Sequence, residues 1–324
     1  MGLVSKVMKF RLLLKIPRGF LSNGIMRVQT YYNKSSASAV EGSLPALCRE
    51  LRIEAHAIEK GLSLPSVRKG FGREKIKKIL GLLDQYIAKG QYTYDKDAFL
   101  SALGMVCRYV EEAEHYDCDT SFIDLKKYDR WVHEIDLKDY GTAQCVRGGG
   151  GYSDFQTLAY SRHSVRDFSD KPLSVEKIKK AVKLAQTAPS ACNRQSSRII
   201  HVTDREKCEK ILNIQGGAKG HSITELLLLV SDLSLYRFLS EMDTPYLDSG
   251  IFLMNLLYSC TYYGIDTCPL IWDDYGEKGT ELRRILPIGK NMHVIAVIQI
   301  GEHRENSVHA ISHRRPVEDV FIEI

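Results

Sequence analysis

A chain of 324 residues, 44% apolar and 26% charged, has room for one large or two ordinary domains and an ordinary globular composition. A formal charge of +5 is too small to argue for nucleic acid as a partner. Eight cysteines with no C-x-x-C pair argue against a disulfide framework or a zinc site and fit a reducing cytoplasm, and no apolar run is long enough to span a bilayer.

Residues 1–40 carry Lys6, Lys9, Arg11, Lys15, Arg18, Arg27 and Lys34 and no acidic residue. Two readings stay open for this arm. One is peripheral contact with an anionic membrane surface; the other is a solvated extension. Leu12 to Leu14 is too short for a signal-peptide core.

Residues 41–150 read as a helical region. Leu44, Leu47, Leu51, Ala55, Ile58 and Leu62 recur at spacings of three and four, one face of a helix that Gly61 and Pro65 stop. A second helix is expected from about Arg73 to Ala88 and a third from about Lys96 to Glu114, joined by short loops as in an antiparallel bundle. His56, Glu59 and Lys60 near the end of the first helix read as solvated terminal charges, with substrate contact as the second reading. Gly148 to Gly151 lack the pattern of a phosphate-cradling loop and read as a flexible boundary.

From residue 151 the pattern alternates between helices and buried strands, which implies an α/β sandwich with a central sheet flanked by helices. Helices are expected near Phe155 to Arg162, from a cap at Ser174 to about Thr187, from Arg205 to Leu212 and from Leu247 to Tyr263. Strands are expected over Arg198 to Val202, Leu226 to Val230 and His293 to Ile300. The helix from Leu247 is apolar almost all round, so it belongs in a core or an extensive interface.

Four motifs lie on this frame. Ser161 to Phe168 reads Ser-Arg-His-Ser-Val-Arg-Asp-Phe and concentrates guanidinium and hydroxyl groups suited to a phosphate. Ala188 to Gln195 reads Ala-Pro-Ser-Ala-Cys-Asn-Arg-Gln, a polar loop after a helix. The third is Tyr263-Gly-Ile-Asp-Thr-Cys-Pro-Leu-Ile, and the fourth is Ser312-His-Arg-Arg-Pro near the C-terminus. Cys192 inside the second motif reads as an ordinary small loop residue, since no activating base is evident. No Ser-His-Asp arrangement, H-E-x-x-H or metal-ligand spacing accompanies them.

In this order the four motifs make residues 155–324 resemble the nitroreductase family of FMN-dependent oxidoreductases. The resemblance implies a homodimer with flavin at the interface, FMN as cofactor, NADH or NADPH as electron donor, and a small-molecule acceptor. Carried over by motif, it puts Arg162 and Ser164 at the phosphate, Arg166 at the pyrimidine edge of the flavin, and His163 in the same loop. It draws Pro189, Ser190, Ala191, Asn193 and Gln195 from the partner subunit over the flavin. It sets Pro269, Leu270 and Ile271 near the hydride-accepting N5, where Pro269 has no N–H to donate. Arg314 takes a phosphate position, with Arg315 assisting; Gln215, Lys219 and His221 are weaker candidates for the flavin or substrate side.

The chain departs from the family in three places. Ser196 and Ser197 follow Gln195 where relatives often have Pro-Trp, Trp272 stands where many have glycine, and the connection between Asp232 and Asp248 is short for a lid. The long N-terminal region is expected to supply the missing roof. The expected activity is electron transfer from NAD(P)H to an unidentified acceptor. The alternatives are flavin-consuming chemistry on the same fold, or a non-enzymatic flavin-binding scaffold linked to surface polysaccharide assembly.

Overall fold

The computed structural model describes residues 42–146, 152–236 and 241–324. The basic arm and the Gly148 to Gly151 run lie outside the described residues. Among the described residues no helix is long and apolar enough to cross a membrane.

Three helices open the described chain: α1 (Leu44–Leu62), α2 (Arg73–Ala88) and α3 (Lys96–Glu111). Their apolar stripes close on one another through Leu51 and Ile58, Ile76 and Leu83, and Phe99 and Val106, all buried, with Trp131 and Tyr140 completing this first core. Asp95 caps α3 by accepting from the Ala98 N–H at 3.1 Å. The third helix stops at Glu111 rather than near Glu114, and residues 113–140 make only single turns around the bundle.

The second half is a sandwich. Helices α4 (Phe155–Ser161), α5 (Val175–Ala185), α6 (Arg205–Gln215), α7 (Thr244–Tyr262) and α8 (Glu277–Ile285) flank strands β2 (Ser197–Val202), β3 (Glu225–Asp232), β4 (Asp266–Ile271) and β5 (Met292–Gly301). The strands are ordered β2-β3-β5-β4 and every pairing is antiparallel. Successive residues of a strand face opposite sides of a sheet. Leu226, Leu228 and Val230 therefore meet α6 and α8, while Leu227 and Leu229 meet α5 and α7. This explains the unbroken apolar run of β3: both faces of the sheet are covered by helices.

The expected sandwich is observed, with two elements beyond those read from the pattern. The first is β4, whose Asp266-Thr-Cys-Pro-Leu-Ile sequence has a proline that its edge position tolerates. The second is α8, which shows Gly279, Leu282 and Ile285 to the core and is otherwise polar.

A small sheet ties the two halves together. Strand β1 (Thr142–Gln144) leaves the helical region and pairs antiparallel with β6 (Val308–Ala310) near the C-terminus. The C-terminal segment is thereby laid between the first core and the sandwich.

Candidate functional site

The first motif is extended rather than helical. Val165 N–H donates to Thr267 O at 3.0 Å, and Ser169 N–H donates to Glu302 O at 2.7 Å, so the segment runs along the free edge of β4. A period of two then explains the R-x-S-x-R spacing: Arg162, Ser164 and Arg166 share one side and line a cavity. Val165 and Phe168 are buried in the sandwich core and anchor the segment. His163 stacks on His309 at the cavity edge, with ring centroids 3.4 Å apart.

The C-terminal segment brings the fourth motif to the same place. Ser312 has φ 57, the left-handed region, which turns the chain just past β6. Its N–H donates to Glu59 Oε1 at 2.7 Å. His313 stacks on Tyr140 and lies 3.2 Å from Asp97 Oδ1, and Arg315 pairs with Asp95 at 3.5 Å. Arg314 instead lines the cavity and donates to Ser312 O. Arg315 thus fastens the segment to the helical region, while Arg314 faces Arg162.

The cavity has a volume of about 380 Å³, within the range of small-molecule and cofactor sites. Its third wall is the helical region, through Arg52, Ala55, His56 and Glu59 of α1, Ser101 and Met105 of α3, and Tyr140. The N-terminal helical region therefore forms part of the cavity lining. Glu59 is 4% exposed and its carboxylate is engaged, so it is not the solvated terminal charge that its sequence position suggested.

Cations outnumber acids in the cavity lining, where Arg52, Arg162, Arg166 and Arg314 share the space with the carboxylate of Glu59. Arg162 and Arg314 have no carboxylate partner among the described residues. Burial, and then the Arg314 charge, push the Arg162 pKa down. Arg166 is 6% exposed; it donates to Ser63 Oγ at 3.2 Å and to Ser164 O at 3.2 Å, and its Nε has no partner. Lys60 beside it is lowered by burial and then by the Arg166 charge. Buried cations without acids are costly unless an anion joins them. The donor set therefore fits a phosphate monoester, with the Arg166 Nε left for the group attached to it. No cluster of His, Cys, Asp and Glu suited to a metal ion occurs among the described residues.

The other motif residues lie elsewhere in the protomer. Pro189, Ser190 and Gln195 border a separate cavity of about 70 Å³ beside Asp248 and Phe252 of α7. Asp248 is buried and pins this loop by accepting from the Ala191 N–H at 3.0 Å and from the Tyr236 hydroxyl at 2.8 Å. Asn193 and Gln195 have φ of 52 and 50 and are bonded to each other through their side chains at 3.2 Å. Pro269 and Leu270 lie within β4, and Ile271 at its end is 90% exposed. Gln215 braces that end by donating to Ile271 O at 3.0 Å. His221 is 2.5 Å from Gln299 Oε1 and half-buried.

Burial lowers the pKa of His163 to about 4 and, against the bond to Gln299, that of His221 to about 4. Their folded values lie below the ordinary histidine value near 6.5. Both groups then contribute stability that is full above about 6.5 and declines as pH falls toward about 4, because the unfolded chain takes up the protons first. The expected result is that His221→Gln removes about one proton from the slope of unfolding free energy against pH in that window. Denaturant titrations at several pH values check this, and an unchanged slope would refute it.

Comparison with known proteins agrees with the sequence reading. The nitroreductase family model matches residues 159–232, which span the first two motifs and β3. A protein of Archaeoglobus fulgidus named as an NADH dehydrogenase/NAD(P)H nitroreductase is 30% identical over 145 residues, 44% of this chain and 82% of that one. The NAD(P)H FMN reductase of Bacillus subtilis is 35% identical over 160 residues, 44% of this chain and 64% of that one. Among solved structures, a nitroreductase family protein of Streptococcus pneumoniae aligns at 20% identity over 53% of this chain and all of that one, with a TM-score of 0.46, too low to support a functional conclusion. A mixed sandwich with a cation-lined cavity at the edge of β4 defines the class, and the chain belongs to the nitroreductase family. The helical region before residue 142 lies outside the family match.

Proposed function

We propose that this protein is an FMN-dependent oxidoreductase that takes electrons from NADH or NADPH and passes them to a small-molecule acceptor. The observation that carries the reading is the convergence of Arg162 and Arg314, distant in sequence, on one cavity in which neither is paired with a carboxylate among the described residues. Such an arrangement suits the dianionic phosphate of FMN, which would be held by Arg162, Ser164 and Arg314. Arg166 would face the pyrimidine edge and favour negative charge there. When bound, the flavin supplies the hydride and electron chemistry; the chain's own residues bind it, orient it and exclude water. The relatives' names support the same cofactor and electron donors. The division into a helical region over 41–150 and a flavin-binding domain over 151–324 is part of this proposal, and the separate buried cores support it. The test is optical. Purified protein should carry flavin absorbance that NADH or NADPH bleaches without oxygen; protein that neither carries nor takes up FMN would overturn the reading.

A homodimer belongs to the same proposal. Leu247, Ile251 and Met254 are exposed at helical spacing on α7, beside Phe155 of α4, whose ring meets Tyr258. An apolar row of this kind suits a two-fold contact, and a partner there would also meet the loop that Asp248 pins. Ile251→Glu should cost about 2 kcal/mol or more for each copy across the interface and give a monomer by light scattering. A variant that remains dimeric at micromolar concentration would place the interface elsewhere.

A further inference from the structure

The helical region does more than line the cavity. Glu59 of α1 is buried, and its two carboxylate oxygens hold different groups. Oε1 accepts from the Ser312 N–H at 2.7 Å, and Oε2 lies 3.0 Å from His56 Nδ1. One carboxylate therefore fixes both the backbone two residues before Arg314 and the imidazole of His56. Bonding at Nδ1 sets the ring's orientation and leaves Nε2 as its outward group. His56 lines the same cavity as Arg162, Ser164 and Arg314, but from the helical region rather than the sandwich. On that wall Ser101 Oγ is buried and has no partner, so the helical side also holds an unmet hydroxyl.

We infer that the helical region supplies a ligand of its own to the phosphate subsite: His56, oriented by Glu59 through Nδ1–H and carrying a second proton as imidazolium, donates from Nε2–H to the phosphate monoester that Arg162 and Arg314 also address. This rests on the FMN reading above and extends it to residues 41–150. It makes the cofactor a bridge between the two cores, held by the sandwich on one side and by α1 on the other. Glu59 is the positioning residue, since it touches the imidazole and the C-terminal segment rather than the ligand.

The experiment compares FMN with riboflavin, which lacks the phosphate, by fluorescence titration of the full chain and of His56→Ala. One lost charge-assisted hydrogen bond corresponds to about a tenfold weaker Kd for FMN, with riboflavin binding unchanged. His56 is half exposed on its side chain, so the fold should tolerate the change; should His56→Ala not fold, His56→Gln carries the same comparison. An FMN-to-riboflavin preference equal to wild type would overturn the inference while leaving the FMN reading intact. A wild-type chain that binds neither flavin would overturn both.

Discussion

Replacing Arg162 and Arg314 together with alanine should weaken FMN binding by about 10²- to 10⁴-fold, the equivalent of two charge-assisted hydrogen bonds at about 1.5–3 kcal/mol each. Each single replacement should cost about 10- to 150-fold on the same basis. The sign of the accompanying change in apo-protein stability is the sharper prediction. Arg162 is penalised by burial and by the charge of Arg314, and neither has a carboxylate to lose. Removing the pair should therefore leave the melting temperature of the flavin-free protein unchanged or raise it, as expected where a binding site is built at the expense of stability. Fluorescence titration and calorimetry of the flavin-free variants check the two halves. A double variant that binds FMN like wild type, or that loses binding only because it unfolds, would refute this assignment.

Phe168→Ala should have the opposite profile, a large loss of stability. Phe168 is 1% exposed, packs in the core beneath β4 and β5, and closes the motif that carries Arg162, Ser164 and Arg166. Its ring lies so close to Gly301 that a β-carbon built there would fall 2.8 Å from Phe168 Cδ1. The glycine is what lets the ring pass under the end of β5. Emptying such a site costs about 3–5 kcal/mol, the lost burial plus an unfilled cavity. The loss should be read from the unfolding of the sandwich rather than of the helical bundle, since the bundle has its own core. FMN affinity should fall too, because the motif is held to the sheet by this ring and by the Val165 and Ser169 backbone bonds. A loss below about 1 kcal/mol would mean that the motif is anchored by its backbone alone.

The elements with strong periodicity were legible in the sequence, and the site was legible in parts. The stripe from Leu44 to Leu62 marked α1, because every third or fourth position is apolar and Pro65 follows, although Gly61, read as a stop, lies inside the helix. The run from Leu226 to Val230 marked a strand covered on both faces, and it is one. Strand β4 was hidden by Pro269 and by its short, mixed sequence; only its edge position and its pairing with β5 make it a strand. The extended form of Arg162 to Phe168 was also hidden, since the segment follows a helix and gains its conformation from β4.

For the site, residue type and motif order pointed to Arg162, Ser164, Arg166 and Arg314, which line one cavity. Adjacent arginines could not be told apart by type. Arg314 turns to the cavity and Arg315 to Asp95 because Ser312 takes a left-handed conformation that no local pattern announces. The helical wall was the largest omission. His56 and Glu59 looked like terminal charges because the partner of Glu59, the Ser312 N–H, lies 253 positions away in the sequence. A helix-end histidine three residues before a glutamate was the available signal, but its meaning depends on a tertiary contact.

A crystal structure of the protein with FMN tests the central claim most directly. The account expects the phosphate to lie within about 3 Å of donors on Arg162, Ser164 and Arg314, with the ring running toward Arg166 and β4. A phosphate bound elsewhere, with those guanidiniums turned to solvent or to carboxylates, would contradict it.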